Sequence, residues 1–154
     1  METKVYLQQI SRLDRMIKNK MSELSQFREL TYGLSAISNE ERVQTTLDPD
    51  KFSGKIAKIC EIEKKIDVLI DEYVDKKQII VSQIDGMENE THYEILFARY
   101  IEKKTFEKIA DEMGYSWRQT IRIHGRALQE FEKKYGQTYK KTKHGIECHI
   151  DNLL

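Results

Sequence analysis

From Tyr6 onward the chain places an apolar residue every three or four positions: Tyr6, Ile10, Leu13, Ile17, Met21, Leu24, Phe27, Leu30 and Leu34. That spacing keeps one stripe on one side of a helix and predicts a single long helix over residues 3–34. The stripe is too narrow to enclose a core alone, so the helix must pair with another. The pattern breaks at "SAISNEERVQTTLDPD", residues 35–50, where Ser, Asn and Thr cluster and Asp48-Pro49 disfavours helix on its N-terminal side. A loop is expected there, with a short turn at 39–43.

A second periodic segment follows. Ile59, Ile66, Tyr73 and Ile80 are seven residues apart, and Ile56, Ile62, Leu69, Ile70 and Ile84 fill the positions between them. This heptad-like seam predicts a helix starting near residues 50–53 and running to about Ile84. Lys76 and Lys77 interrupt it. The two long segments have similar lengths, and the simplest arrangement is an antiparallel helical hairpin or coiled coil, or its intermolecular equivalent.

"DGMENET", residues 85–91, ends the seam, and a third helix is expected to begin at Asn89 or Glu90. It turns Ile95, Leu96 and Phe97 inward, with Tyr100 and Ile101 completing the turn. A short loop, 102–104, leads to Thr105, a good N-cap. The next helix, 106–113, buries Phe106, Ile109, Ala110 and Met113. Gly114 ends it in a left-handed conformation. Ser116 then caps a fifth helix running from Trp117 to about Tyr135. Residues 136–154 show no clear period and are expected to be partly disordered.

The expected fold is all-α. Residues 1–86 form a long-helix coiled-coil or oligomerisation region, with a loop at about 35–52. Residues 87–135 form a helix-turn-helix, and 136–154 form a C-terminal tail.

Composition narrows this picture. One proline and seven glycines in 154 residues leave too few turn formers for an all-β sandwich. No apolar run approaches the ~20 residues needed to cross a bilayer. "METKVYLQQI" lacks the apolar stretch of a signal peptide, so a soluble, cytoplasmic protein away from the membrane is expected. In a reducing cytosol Cys60 and Cys148 are not expected to form a disulfide. The formal net charge is zero, but it is unevenly spread. Residues 51–90 hold 7 Lys/Arg against 9 Asp/Glu, whereas residues 117–143 hold 8 Lys/Arg against 2 Glu. A basic segment within a neutral chain is the footprint of a phosphate-binding surface.

Catalysis is not indicated. Asp67, Asp71, Glu72 and Asp75 share part of the second helix, but interspersed lysines and the heptad context make them a solvated face. No nucleophile–base pair, P-loop or dinucleotide fingerprint is present. His144, Cys148 and His149 lack a fourth ligand and the paired spacing of a zinc site, so no metal and no cofactor is expected. His92 is expected at the surface of a helix start. His124 is expected near an inner face, in a structural role.

The segment "FEKIADEMGYSWRQTIRIHGRAL", residues 106–128, carries the strongest signal. Two helices joined by a short glycine turn form a helix-turn-helix, whose second helix offers its N-terminal half to base edges. With Thr120, Ile123, Ala127, Leu128 and Phe131 facing inward, Trp117, Arg118, Gln119, Ile121 and Arg122 face outward or sideways. Arg and Gln make bidentate contacts to guanine and adenine. Arg126, Lys133 and Lys134 lie farther along and suit phosphates. Trp117 suits either packing or a contact to the DNA backbone.

Residues 95–132, about a quarter of the chain, resemble sigma factor region 4. The matching elements are Arg99-Tyr100, Lys108-Ile109-Ala110, Gly114-Tyr115-Ser116 and Arg126-Ala127-Leu128. Lys108 stands where the family usually has Glu, and Tyr115 where it has Ile or Val. The whole layout resembles small sigma-region-4-like proteins of phages and prophages, akin to late-gene transcription activators of the ArpU/RinA type.

The resemblance implies sequence-specific binding of double-stranded DNA at promoters and contact with bacterial RNA polymerase. It implies base reading by Trp117, Arg118, Gln119, Ile121 and Arg122. It also implies backbone proximity for Arg99, for the turn of Lys103, Lys104 and Thr105, and for Ser116. The long helices are expected to make a homo-oligomer, a dimer before other states. Two alternatives stand beside this reading: a DNA-recognition subunit of phage packaging, similar to a small terminase, and a coiled-coil interaction adaptor that reads no DNA.

Overall fold

The computed structural model describes residues 2–37 and 49–150, with side chains over 2–32 and 52–139. Every regular element among these residues is helical: α1 (Glu2–Ile37), α2 (Pro49–Asp85), α3 (Glu90–Leu96), a π-helical turn (Phe97–Ile101), α4 (Phe106–Met113) and α5 (Trp117–Ile150). None is long and apolar enough to cross a membrane. α2 opens on Pro49, at a position whose missing N–H would have no helical partner anyway. The turn expected at 39–43 lies outside the described residues.

The chain divides into two compact units, Met1–Ser11 with Asp75–Leu154, and Arg12–Val74. In the second unit Leu13, Ile59, Ile62 and Ile66 are buried. Arg28 of α1 forms an ion pair with Glu63 of α2. The α1 stripe departs from its expected course here. Leu30 is exposed and Thr31 is buried, its hydroxyl donating to the Phe27 carbonyl at 2.8 Å. The cause is geometric. Two successive three-residue steps, Leu24 to Phe27 to Leu30, each fall about 60° short of a full turn. Thr31, four residues after Phe27, stays on the buried side. Met21, Val68, Ile70 and Val74 are also exposed.

In the first unit Leu7, Ile10, Ile80, Ile84, Ile95, Leu96, Ile109 and Phe131 are fully buried. The Asn89 side chain caps α3 by accepting the His92 N–H at 3.1 Å. His92 is half-buried rather than a plain surface residue, with Nδ1 2.5 Å from the Glu130 carboxylate on α5.

The largest difference from expectation is the far end of α5, which continues past Tyr135 to Ile150. Tyr139 is buried, its ring stacked on Tyr6 with centroids 4.5 Å apart and its hydroxyl 2.8 Å from that of Thr3. Tyr6 in turn donates to the Gln83 side-chain oxygen at 2.9 Å. Phe131, Tyr135 and Tyr139 sit at four-residue steps, so the helical period does continue through this region. The intervening polar residues and Gly136 conceal it.

Removing the buried ring by Tyr139→Ala should destabilise the protein by roughly 3 kcal/mol, the usual range for truncating a buried aromatic. A clear fall in melting temperature is expected. An unchanged melt would mean that this part of α5 does not dock on α1.

Candidate nucleic-acid interface

Local chemistry sets the junction between α4 and α5. Thr105 caps α4, its Oγ1 accepting the Lys108 N–H at 3.3 Å. Gly114 ends α4 at φ 68°, the left-handed region that costs a side chain but not glycine. The Tyr115 N–H returns to the Ala110 carbonyl at 3.0 Å. Ser116 then starts α5: its Oγ accepts the Gln119 N–H at 3.3 Å, and its carbonyl accepts the Thr120 N–H at 2.9 Å. Only residues 114–116 separate the two helices.

The inner face of α5 is Thr120, His124, Ala127 and Phe131, all buried, with Ile123 and Leu128 half-buried beside them. His124 is the centre of a polar-aromatic cluster. Its Nε2 lies 3.1 Å from the Tyr100 hydroxyl, and the Phe106 ring meets it edge-on at 4.9 Å between centroids. The Arg99 guanidinium stands 4.5 Å from the Phe106 ring centroid and donates to the Lys104 carbonyl at 2.7 Å. Burial, then the Arg99 and Lys4 cations, push the His124 pKa down to about 4. Burial pushes the Tyr100 phenol up to about 12. The phenol therefore keeps its proton beside a neutral imidazole.

The opposite face is a basic ridge. Arg118, Arg122, Arg126 and Lys133 are all exposed, while Gln119 and Ile121 are partly so. On a 100° per residue helix these four cations fall within one outward sector. Trp117 is 53% exposed at the start of α5. The Glu107 carboxylate of α4 is held below the usual carboxylate range, first by its own backbone N–H, then by the Thr105 hydroxyl, and further by the Trp117 indole. Trp117 thus stands beside the Glu107 carboxylate with about half of its surface open.

The other expected phosphate contacts are not equivalent to the ridge. Arg99 is engaged as described. Lys104 pairs with Glu102 at 2.8 Å and Glu112 at 2.6 Å, and both carboxylates raise its pKa. Lys134 donates to the Gly86 carbonyl at 2.7 Å and approaches Glu88 at 3.3 Å. Thr105 and Ser116 are exposed caps, and Lys103 has a left-handed backbone, φ 60°, in the turn before α4. Any phosphate meeting Arg99, Lys104 or Lys134 competes with bonds already made.

One residue of the ridge escaped the sequence reading. Gly125 is exposed in the interior of α5, and a Cβ there would meet nothing within 4 Å. An interior helical glycine costs about 1 kcal/mol relative to alanine. The signal was the glycine itself, inside a strongly periodic helix.

No family model, curated protein or solved structure matches this chain. The likeness to sigma factor region 4 therefore stands on the residues of 95–132 themselves. Asp67, Asp71 and Asp75 are exposed on α2 and Glu72 is half-buried. Cys60 is exposed and unbridged. The side chains of His144, Cys148 and His149 lie outside the described residues.

The cluster predicts a pH dependence. The unfolded His124 takes up a proton near pH 6.5, the folded one only near pH 4. Between these values the unfolded state binds more protons, so stability falls as pH drops and the loss is complete below the folded pKa. The loss across the window is on the order of 3 kcal/mol, the fall from 6.5 to about 4 taken at about 1.4 per pKa unit. Denaturant melts across this window should show the slope, and His124→Gln should flatten it. Equal slopes in the two proteins would contradict the assignment.

Proposed function

We propose that this chain is a sequence-specific DNA-binding regulator of transcription, of the kind found in phages and prophages. In this reading α4, the Gly114 turn and α5 act as a helix-turn-helix, and α5 enters the major groove. The observation that carries it is the exposed row of Arg118, Arg122, Arg126 and Lys133 on α5, directly after the capped turn. A helix braced on one side by Thr120, His124, Ala127 and Phe131 presents that row rigidly. Arg118, Arg122 and Gln119 have the donors and acceptors to read guanine and adenine. Trp117 and Ile121 offer apolar surface beside them. Arg126 and Lys133 are placed farther along the helix, where they serve phosphates. Contact with RNA polymerase belongs to the same reading through the sigma-region-4 resemblance.

The long helices α1 and α2 are proposed to pair as a hairpin and to join two copies into a dimer. Ile70, Val74 and Val68 are exposed on α2, and Met21 and Leu30 on α1, more apolar surface than a solvated helix pair needs. A dimer would carry two α5 helices to two half-sites separated by a helical turn or a multiple of it.

Two measurements test these points. Arg118→Ala combined with Arg122→Ala should reduce discrimination between duplexes selected by the wild-type protein and random duplexes, by about 1–3 kcal/mol per lost base contact. Lys133→Ala should instead weaken binding to all sequences and make the salt dependence shallower. An unchanged specificity ratio in the double variant would remove the assigned reading face. Binding with no salt dependence, or none to DNA at all, would favour the adaptor reading.

For the dimer, Ile70→Glu with Val74→Glu should leave a monomer in light scattering, with helix content retained by circular dichroism. A variant that keeps the wild-type mass would place the interface elsewhere.

A further inference from the structure

Gly125 sits on the exposed ridge of α5, three residues after Arg122 and next to Arg126. Its backbone is ordinary right-handed helix, so no left-handed geometry calls for glycine. A Cβ built on it meets no atom within 4 Å, so no neighbouring element presses on the position. The unit therefore carries a destabilising residue in the middle of a long helix without any internal need for it. What the missing side chain provides lies outside the fold: a bare patch of helix surface set into a row of arginines.

We propose that Gly125 is the point at which one sugar-phosphate strand of duplex DNA approaches the α5 backbone, a role resting on the DNA-binding reading of the ridge. Trp117 is the first residue of α5. At a rise of 1.5 Å per residue, Gly125 lies about 12 Å along the axis from it. The major groove of B-DNA is also about 12 Å wide. With the first two turns of α5 at the base edges, Gly125 falls where the helix passes the strand bordering the groove. Arg126 and Lys133 are exposed beyond the patch, on one side of it, and reach that strand from there. A side chain at 125 would hold the strand away from the helix. Arg118 and Arg122 would then be lifted from the bases, and Arg126 from its phosphate. Mid-helix amide groups are already used within the helix, so the glycine contributes access and not a hydrogen bond.

Gly54 supplies an internal control. It too is an exposed helical glycine with nothing within 4 Å of a built Cβ, but it lies on α2, in the other unit of the chain. The experiment compares the wild-type chain, Gly125→Ala and Gly54→Ala. It measures melting temperature and affinity for duplexes that the wild-type protein selects from a random-sequence pool. Both substitutions should raise the melting temperature, by roughly 2–4 °C for a chain of this length. Only Gly125→Ala should also bind the selected duplex more weakly, by about tenfold, equivalent to 1.4 kcal/mol.

A more stable Gly125→Ala that binds as tightly as the wild type would overturn the proposal. So would a lower melting temperature for Gly125→Ala, because the glycine would then serve the fold. If the wild-type protein selects no duplex, the DNA-binding reading itself fails and this inference goes with it. If the wild type selects duplexes and Gly125→Ala binds them normally, only the close-approach role is lost.

Discussion

The hydrogen bond between Tyr100 and the buried ring of His124 fixes which side of α5 meets the solvent. Successive residues on a helix are about 100° apart, so turning α5 by one position would carry His124 out of its cluster. The same turn would bring exposed arginines toward the core. Phe106 and Arg99 close around the ring, which ties α4 and the π-helical turn to the same point. The imidazole must remain neutral to stay there, because charging a buried group beside Arg99 is unfavourable on both counts. One neutral histidine thus sets the rotation of the helix and, through it, the direction of the basic ridge.

The cluster also sorts the cations of this half of the chain. Charge counting treats Arg99, Lys104 and Lys134 as equal to Arg118, Arg122, Arg126 and Lys133. In the structure the first three are engaged with a carbonyl, an aromatic ring or a carboxylate, and the last four lie exposed along one helix. The engaged cations stabilise the unit that presents the exposed ones. This division explains how a neutral chain can offer a locally basic surface without repelling itself apart. The Glu102, Glu112 and Glu88 carboxylates pair with Lys104 and Lys134, beside the turns.

Much of this was legible in the sequence because α4, α5 and their junction obey local rules. Thr105, Gly114 and Ser116 each act at a helix end, where the chemistry depends on a few neighbouring residues. The inward set Thr120, Ala127 and Phe131 follows directly from the helical period. The misses depend on what the folded chain places beside each residue, near or far in sequence. Tyr139 reads as part of an irregular tail until Tyr6 and Thr3 are brought to it. Thr31 and Leu30 exchange places because the count of three-residue steps drifts around α1, and hydrophobicity alone does not reveal the drift. Arg99 reads as a free cation until the Lys104 carbonyl and the Phe106 ring are found beside it.

The unit Arg12–Val74 poses a different requirement from the one that carries the ridge. Its described core contains Leu13, Ile59, Ile62 and Ile66, while Met21, Leu30, Val68, Ile70 and Val74 remain outside. Helices draw most of their stability in water from packing an apolar face, not from intrinsic propensity. A helix pair that leaves this much apolar surface open is stabilised further by covering it. In the proposed dimer a second copy supplies that cover, so association and stability become linked and melting becomes dependent on concentration. The same association would couple two recognition helices, each contributing to the binding of one duplex. In the proposed function the long helices are then more than a passive spacer: covering the surface they leave open would convert a weakly reading single helix into a paired one.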